Sequence, residues 1–245
     1  MELLPVKIQP DNLKDTVVEF HFQSDIPEEV LPGLVYQGLK NSFKIIPRAT
    51  KSRPWNLGPQ NFFQIETHDG MQLTDDCVKI HLRSDSIIFN ILGNYPGWSK
   101  FSACIYDVLA KLFQVGYLKA VQRVGIRYIS EYPGISIFEV MKGHPDVFLP
   151  GGIRQNTTYR TEVNYKDCEV VLSIANRVPN KTKQESELTY FSIIDVIVSK
   201  FYNKNPISDL NELKEKTDFL HQVEKEFFFG ILTKEYLASL SPEYP

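Results

Sequence analysis

The sequence is poor in cysteine, with only Cys77, Cys104 and Cys168 among its 245 residues. They lie far apart, their number is odd, and no C-x-x-C spacing occurs, which argues against a zinc knuckle and a disulfide framework. Cys104 and Cys168 fall in segments that we interpret as a helix and a strand, where an unpaired thiol usually behaves as a small buried hydrophobic residue. The sequence therefore predicts a reducing, cytoplasmic location.

An excess of charge of either sign is also missing. The formal net charge is -3 and 23% of the residues are charged, so no sequence-wide positive field could hold nucleic acid or an anionic membrane. The N-terminus has no opening run of about 18 apolar residues and no basic-then-apolar signal pattern. We therefore predict a protein that is neither exported nor inserted in a membrane.

The common catalytic and nucleotide-binding motifs are absent as well. No serine occupies a G-x-S-x-G elbow, and no G-x-x-x-x-G-K-[ST] or G-x-G-x-x-G loop occurs. The histidines show neither H-x-x-x-H nor H-E-x-x-H spacing, so we predict no metal site and no cofactor. Pro150–Gly152 could hold an anion through backbone amides, although a turn into the next strand explains this segment as well.

What the sequence does contain is a set of alternating apolar and polar stretches, the period of half-buried strands. Short polar joints between several of them predict hairpins and therefore antiparallel pairing. The predicted strands are Thr16–Phe22, Phe62–Glu66, Cys77–Arg83, Ser86–Leu92, Val121–Tyr132, Thr158–Tyr165, Glu169–Ala175 and Tyr190–Val198.

Helical spacing marks the remaining elements. Val30–Phe43 has Ser24 or Asp25 available as a cap, and Trp98–Leu112 closes near Gly116. The C-terminal helix Leu210–Phe227 is started by Ser208-Asp209, with Glu212 placed for a capping box. Short helices are predicted at Ile135–Lys142 and from about Thr233.

These elements predict an α+β fold of predominantly antiparallel sheets backed by long helices. The order strand, helix, three strands, helix occurs twice, at about 15–118 and 119–230, and a C-terminal helix follows at 231–245. A duplicated β-α-β-β-β-α unit within a single compact protein is the economical explanation, because each half could cover the edge strand of the other. An unrelated pair of sheets would give a similar pattern.

Several of these segments, in their order along the chain, resemble a sporadically distributed bacterial family of uncharacterised proteins of about this length. They are the strand pair Cys77–Leu92, Tyr95–Trp98 leading into a helix, Arg123–Ile129, Leu220-His221 with Phe227, and Ile231–Thr233. The resemblance implies an association with mobile or defence-linked gene neighbourhoods, including antiviral defence. It implies no reaction, cofactor or catalytic residue.

Two arginines are the first candidates for a binding site. Arg123 and Arg127 lie four apart on one predicted strand and so project to the same face. They could contact a ligand, but an ion pair that fixes sheet register is the favoured interpretation. The candidate carboxylate partners of Arg127 are Glu19, Glu162 and Asp195. Asp195 lies within an apolar strand, where an unpaired carboxylate would be costly.

Two further groups are candidates. The basic stretch Lys44, Arg48, Lys51 and Arg53 could contact phosphate, although solvated loop charges are favoured. His21, His81 and His221 are each expected to be packed and hydrogen-bonded. His221 and Glu224, one helical turn apart, could form an acid/base pair, but ordinary solvated helix charge is favoured.

Three functions remain open. The first is a non-catalytic binding or regulatory protein of a bacterial defence or mobile-element system, acting through protein contacts or as a homodimer. One of the adjacent Phe227–Phe229 could reach another subunit, although packing within the chain is favoured. The second is a nucleic-acid-binding or processing protein that uses the basic loop and the Arg123/Arg127 face, which the overall acidity disfavours. The third is an enzyme whose Asp195, Glu162 and His221 meet only in the fold. The candidate binding residues are Arg48, Arg53, Arg123, Arg127, Asp195 and His221.

Overall fold

The computed structural model describes residues 3–27, 29–46, 71–143, 156–180 and 189–245. Its strands are β1 (Leu13–Gln23), β2 (Lys44–Ile46), β3 (Met71–Thr74), β4 (Val78–Leu82), β5 (Ser86–Ile91), β6 (Ala120–Pro133), β7 (Thr157–Tyr165), β8 (Cys168–Asn180) and β9 (Thr189–Phe201). Its helices are α1 (Leu31–Leu39), α2 (Trp98–Gln114), α3 (Ile137–Val140), α4 (Leu210–Ile231) and α5 (Lys234–Ser239). No helix in the described ranges combines the length and the apolar character that a membrane span needs.

The nine strands form one sheet in the order β2-β3-β4-β5-β1-β6-β9-β8-β7. Neighbouring strands such as β4 and β5, or β7 and β8, pair antiparallel, so the predicted α+β class with an antiparallel sheet is confirmed. The predicted strand Phe62–Glu66 lies outside the described residues. Strands β2 and β3 were not predicted, because three and four residues are too few to show a clear period. The repeat hypothesis remains a prediction.

Contacts within the chain divide it into two compact units. We call Val17–Gly125 with Lys200–Asp218 the N-terminal unit. The C-terminal unit consists of Ile126–Ser199, Phe219–Pro245 and the first residues up to Thr16.

The N-terminal unit buries the apolar side of its strands. Phe20, Ile80 and Phe89 are fully buried, and they alternate with half-exposed polar residues as the sequence predicted. Helix α2 buries residues at spacings of three and four, which is the pattern of one helical face: Phe101, Ile105, Val108 and Leu112. The first turns of α4 are joined to α2 because Trp98 Nε1 and the Tyr106 hydroxyl both donate to Asp218 Oδ1 at 2.8 Å.

The two predicted helix caps have different outcomes. Helix α1 follows Val30 without a side-chain cap, so the prediction that Ser24 or Asp25 caps it is wrong. A cap must directly precede the first turn, and Ser24 instead accepts a bond from the Ile26 amide at 3.2 Å. At the start of α4, Asp209 Oδ1 accepts from the Glu212 amide at 2.8 Å, which confirms the predicted Asp209 cap.

In the C-terminal unit, β8 pairs antiparallel with both β7 and β9. Strands β7 and β8 are joined by Lys166-Asp167, and both residues have positive φ, 52° and 57°. Strand β8 continues past the predicted end at Ala175 to Asn180. The sequence pattern does not show this continuation, because a bulge between Ala175 and Val178 interrupts the alternation. Asn176 anchors the bulge, since its Oδ1 accepts from the Ile137 amide at 2.8 Å and thereby holds the start of α3.

Candidate functional site

The ion pair predicted for Arg127 forms with Asp195. Both residues lie in the C-terminal unit, Arg127 in β6 and Asp195 in β9. Arg127 Nε donates to Asp195 Oδ1 at 2.9 Å and Nη2 donates to Oδ2 at 2.8 Å, the bidentate geometry that makes such pairs strong and directional. The Asp195 side chain is 2% exposed and that of Arg127 is 17% exposed, so this carboxylate is almost entirely removed from water.

The strand register extends this ion pair into a polar row. Asp195 lies opposite Ser173 in β8, and Ser173 lies opposite Arg160 in β7. Arg160 Nη1 donates to Ser173 Oγ at 3.4 Å, and its Nη2 donates to Glu162 Oε1 at 2.9 Å. We call Arg127, Asp195, Ser173, Arg160 and Glu162 the charged row. It runs from a buried ion pair to the surface, where the Glu162 side chain is 68% exposed.

The charged row ends at the last strand of the sheet. Strand β7 pairs with β8 over all nine of its residues, from Thr157 opposite Asn176 to Tyr165 opposite Cys168. Within the part of the chain that the structure describes, no strand pairs with the other edge of β7. Among the described residues this edge is therefore open, and such an edge is a ready template for pairing with another chain.

The turn after β7 identifies which of its backbone groups point outward. Positive φ at Lys166 and at Asp167 is the type I′ hairpin geometry, and a β-turn bonds the Tyr165 carbonyl to the Cys168 amide. Because bonded and non-bonded pairs alternate along an antiparallel ladder, the odd-numbered residues of β7 direct their backbone groups to β8. The residues whose backbone groups face outward, all of them exposed, are Thr158, Arg160, Glu162 and Asn164.

Apolar side chains accompany this edge on the opposite face of β7. Val163 is 40% exposed and Tyr165 is 37% exposed. The Tyr165 ring packs edge-on against Phe227 of α4 at 5.5 Å between centroids, and its hydroxyl donates to Glu226 Oε2 at 3.2 Å. One of the three adjacent phenylalanines thus contacts a strand of its own unit, and Val163 remains the apolar residue that the edge leaves most accessible.

Arg123 has a separate ion pair in the N-terminal unit. Its Nη1 donates to Glu19 Oε2 at 2.9 Å, and His21 Nε2 lies 2.9 Å from Glu19 Oε1. The guanidinium also lies over the Phe201 ring, 5.5 Å from its centroid. Burial acts to raise the pKa of Glu19, but the hydrogen bond and charge of His21 and the charge of Arg123 outweigh it and hold that pKa below its ordinary value. The Arg123 charge is therefore balanced locally.

His81 and His221 are packed as expected, but Glu224, one helical turn from His221, is not the solvated charge that the sequence favoured. The Tyr128 hydroxyl lies 3.3 Å from His221 Nδ1, and burial lowers the pKa of His221 to about 3 and that of His81 to about 4. Glu224 is only 3% exposed, and burial raises its pKa to about 8. The interpretation of Glu224 as a solvated helix charge is wrong, because it continues the buried helical stripe of Leu213, Thr217 and Leu220. That spacing was visible in the sequence.

The predicted acid/base residues do not converge. Asp195 and Glu162 belong to the charged row, whereas His221 contacts Tyr128, which alternation directs to the opposite face of β6 from Arg127. Arg48 and Arg53 lie outside the described residues. Sequence reasoning missed Arg160 and Ser173, since only strand register brings them into line with Asp195. Among the described residues, no group of three or more His, Cys, Asp or Glu side chains is arranged to hold a metal ion.

A comparison with protein-family models finds no match for this chain, and a comparison with curated proteins finds none either. The resemblance described from the sequence therefore remains a prediction.

Proposed function

We propose that this chain is a non-catalytic protein-binding module that uses the outer edge of β7. The observation that carries the proposal is the open backbone of Thr158, Arg160, Glu162 and Asn164 on a long, exposed edge strand. An extended segment of a partner can add to such an edge, where main-chain hydrogen bonds supply affinity and side-chain contacts supply specificity.

The composition of the edge supports protein binding. Val163 and Tyr165 offer apolar contact area on one face, while Arg160 and Glu162 offer one charge of each sign on the other. Interfaces of this mixed kind combine an apolar centre with a polar rim. The two charges also limit indiscriminate pairing, because natural edge strands use charged side chains to resist aggregation.

The ion pairs favour this function over nucleic-acid binding. A phosphate contact needs an available cation, whereas Arg123 is held by Glu19 and Arg127 by Asp195. An enzymatic role gains no support either, since Asp195 and His221 lie on elements that direct them to opposite faces of the sheet. The family resemblance supports placing such a module in a bacterial defence or mobile-element system, and three cysteines that form no disulfide support a reducing cytoplasm.

Proline at an outward position tests the proposal. Asn164→Pro removes one outward amide without removing a bond to β8, and proline is tolerated at edge positions of this kind. Asn164→Ala is the matched control, because it shortens the same side chain and keeps the amide. With both variants and the wild type as baits in the host cells, we expect the proline variant to retain about tenfold less of each specific partner, since one interface hydrogen bond is lost and a partner carbonyl is left unpaired.

Amide hydrogen exchange locates the contact. In the complex with any retained partner, the amides of Arg160 and Glu162 are expected to exchange more slowly than in the free chain. Equal retention of the same partners by the proline and alanine variants, with unchanged exchange at these two amides, would show that binding uses another surface.

A further inference from the structure

We infer that the strand that adds to β7 is the β7 of a second copy of this chain, related to the first by a two-fold axis at Thr161. This inference rests on the proposed function, because it names the partner of the same edge. A symmetric dimer requires a surface that is complementary to itself. Strand β7 meets this requirement in its backbone, its charges and its apolar side chains.

The backbone requirement restricts the register. Two antiparallel strands exchange backbone hydrogen bonds at a residue pair only if the N–H and C=O groups of both residues face the other strand. A residue of β7 with outward backbone groups must therefore lie opposite a partner residue whose backbone groups also face outward. With the axis at Thr161, Arg160 lies opposite the partner's Glu162, and Thr158 lies opposite the partner's Asn164. All four outward residues of each copy are then paired, so this register leaves none of the open backbone groups of β7 unused.

The charges select this register over its neighbours. The next allowed registers move the axis by one residue, to Arg160 or to Glu162, because outward residues must stay opposite outward residues. An axis at Arg160 places that arginine opposite the partner's Arg160, and an axis at Glu162 places two carboxylates opposite each other. Like charges directly opposite destabilise a sheet, whereas opposite charges stabilise it.

The existing ion pair shows that these side chains reach each other. Arg160 Nη2 and Glu162 Oε1 of one chain lie 2.9 Å apart on the same face of β7. In the dimer the partner's Glu162 lies beside Arg160 and the partner's Arg160 lies beside Glu162. The four side chains then form a square in which every neighbour has the opposite sign.

The other face of β7 is complementary as well. The same axis places Val163, which is 40% exposed in one chain, opposite the partner's Tyr159. It also places Thr161 opposite the partner's Thr161. Aromatic pairs with β-branched residues and threonine pairs are both stabilising across antiparallel strands, and the dimer covers the most accessible apolar residue of this edge.

Charge reversal tests the inference by sedimentation equilibrium of the purified chain. Arg160→Glu alone places a new carboxylate opposite the partner's Glu162, and Glu162→Arg alone places a new guanidinium opposite the partner's Arg160. Each is expected to weaken the dimer about 10- to 100-fold, because two symmetric pairs become repulsive. An equimolar mixture of the two variants restores both attractive pairs, so a heterodimer of near wild-type affinity is expected. The double variant Arg160→Glu/Glu162→Arg is expected to dimerise like the wild type.

Lys7→Glu is the matched control. It makes the same change in net charge as Arg160→Glu, at the exposed Lys7–Glu243 ion pair, away from β7, and is expected to leave the dimer unchanged. Recovery in the mixture also shows that both single variants are folded.

Two results would overturn the inference. One is a wild-type chain that stays monomeric at its highest soluble concentration; the other is a dimer that the single reversals do not weaken or that the mixture does not restore. Neither would overturn the proposed function if Asn164→Pro still loses a different partner in the host cells. Equal partner retention by Asn164→Pro and Asn164→Ala contradicts the proposed function itself.

Discussion

Replacing Asp195 with alanine is expected to lower the free energy of unfolding by about 3–5 kcal/mol, the cost of leaving one member of a buried ion pair without its partner. The Arg127 guanidinium loses both of its bonds to Asp195, at 2.9 and 2.8 Å. Only 17% of the Arg127 side chain is exposed, so water has little access to the guanidinium and does not readily replace the two lost hydrogen bonds. Urea denaturation at neutral pH measures the effect directly.

Two comparison variants separate the causes of this loss. Glu162→Ala breaks the Arg160–Glu162 pair, whose side chains are 39% and 68% exposed, and is expected to cost no more than about 1 kcal/mol. The double variant Arg127→Met/Asp195→Leu removes both charges together and is expected to recover most of the stability lost by Asp195→Ala. A loss of less than about 1 kcal/mol in Asp195→Ala itself would show that the ion pair is solvated.

Replacing Glu224 with glutamine is expected to change how stability depends on pH. Burial raises the pKa of Glu224 from 4.5 to about 8, so the folded protein holds this proton more tightly than the unfolded chain does. The stability that this bound proton contributes is present in full below pH 4.5, and it is lost as the pH rises through 8. The glutamine variant has no such proton, and at pH 9 it is therefore expected to be more stable than the wild type by roughly 3–5 kcal/mol.

The comparison between variant and wild type at each pH isolates Glu224 from His221. Burial lowers the pKa of His221 to about 3, so the folded protein holds a proton on this side chain less tightly than the unfolded chain does. The stability that neutral His221 contributes is therefore lost in the opposite direction, as the pH falls below 6.5. Denaturation midpoints of both proteins from pH 5 to pH 9 measure the difference, with Glu215→Gln on the exposed face of α4 as control. Parallel curves for Glu224→Gln and the wild type would show that folding does not raise the pKa of Glu224.

The correct and incorrect sequence predictions have identifiable physical causes. Trp98–Leu112 was recognised because one-sided burial repeats with a fixed helical period. Val121–Tyr132 was recognised from the alternating residue types in its sequence, although the structure buries residues on both faces of this strand. Glu224 was misjudged because its charge outweighed its position on the helical stripe. The continuation of β8 beyond Ala175 was missed because a bulge shifts the alternation by breaking the register of the pair.

The sequence alone determined the α+β class and most strands and helices, together with the Asp209 cap, because all of these depend on residues close together in the chain. Only the tertiary structure decided that Arg127 pairs with Asp195, that Ser173 and Arg160 continue this row, and that β7 is an edge strand of the described sheet. Strand order and register join residues as far apart as Arg127 and Asp195, which are separated by 68 positions. No local period encodes such pairings, since they depend on how all the strands share one hydrophobic core.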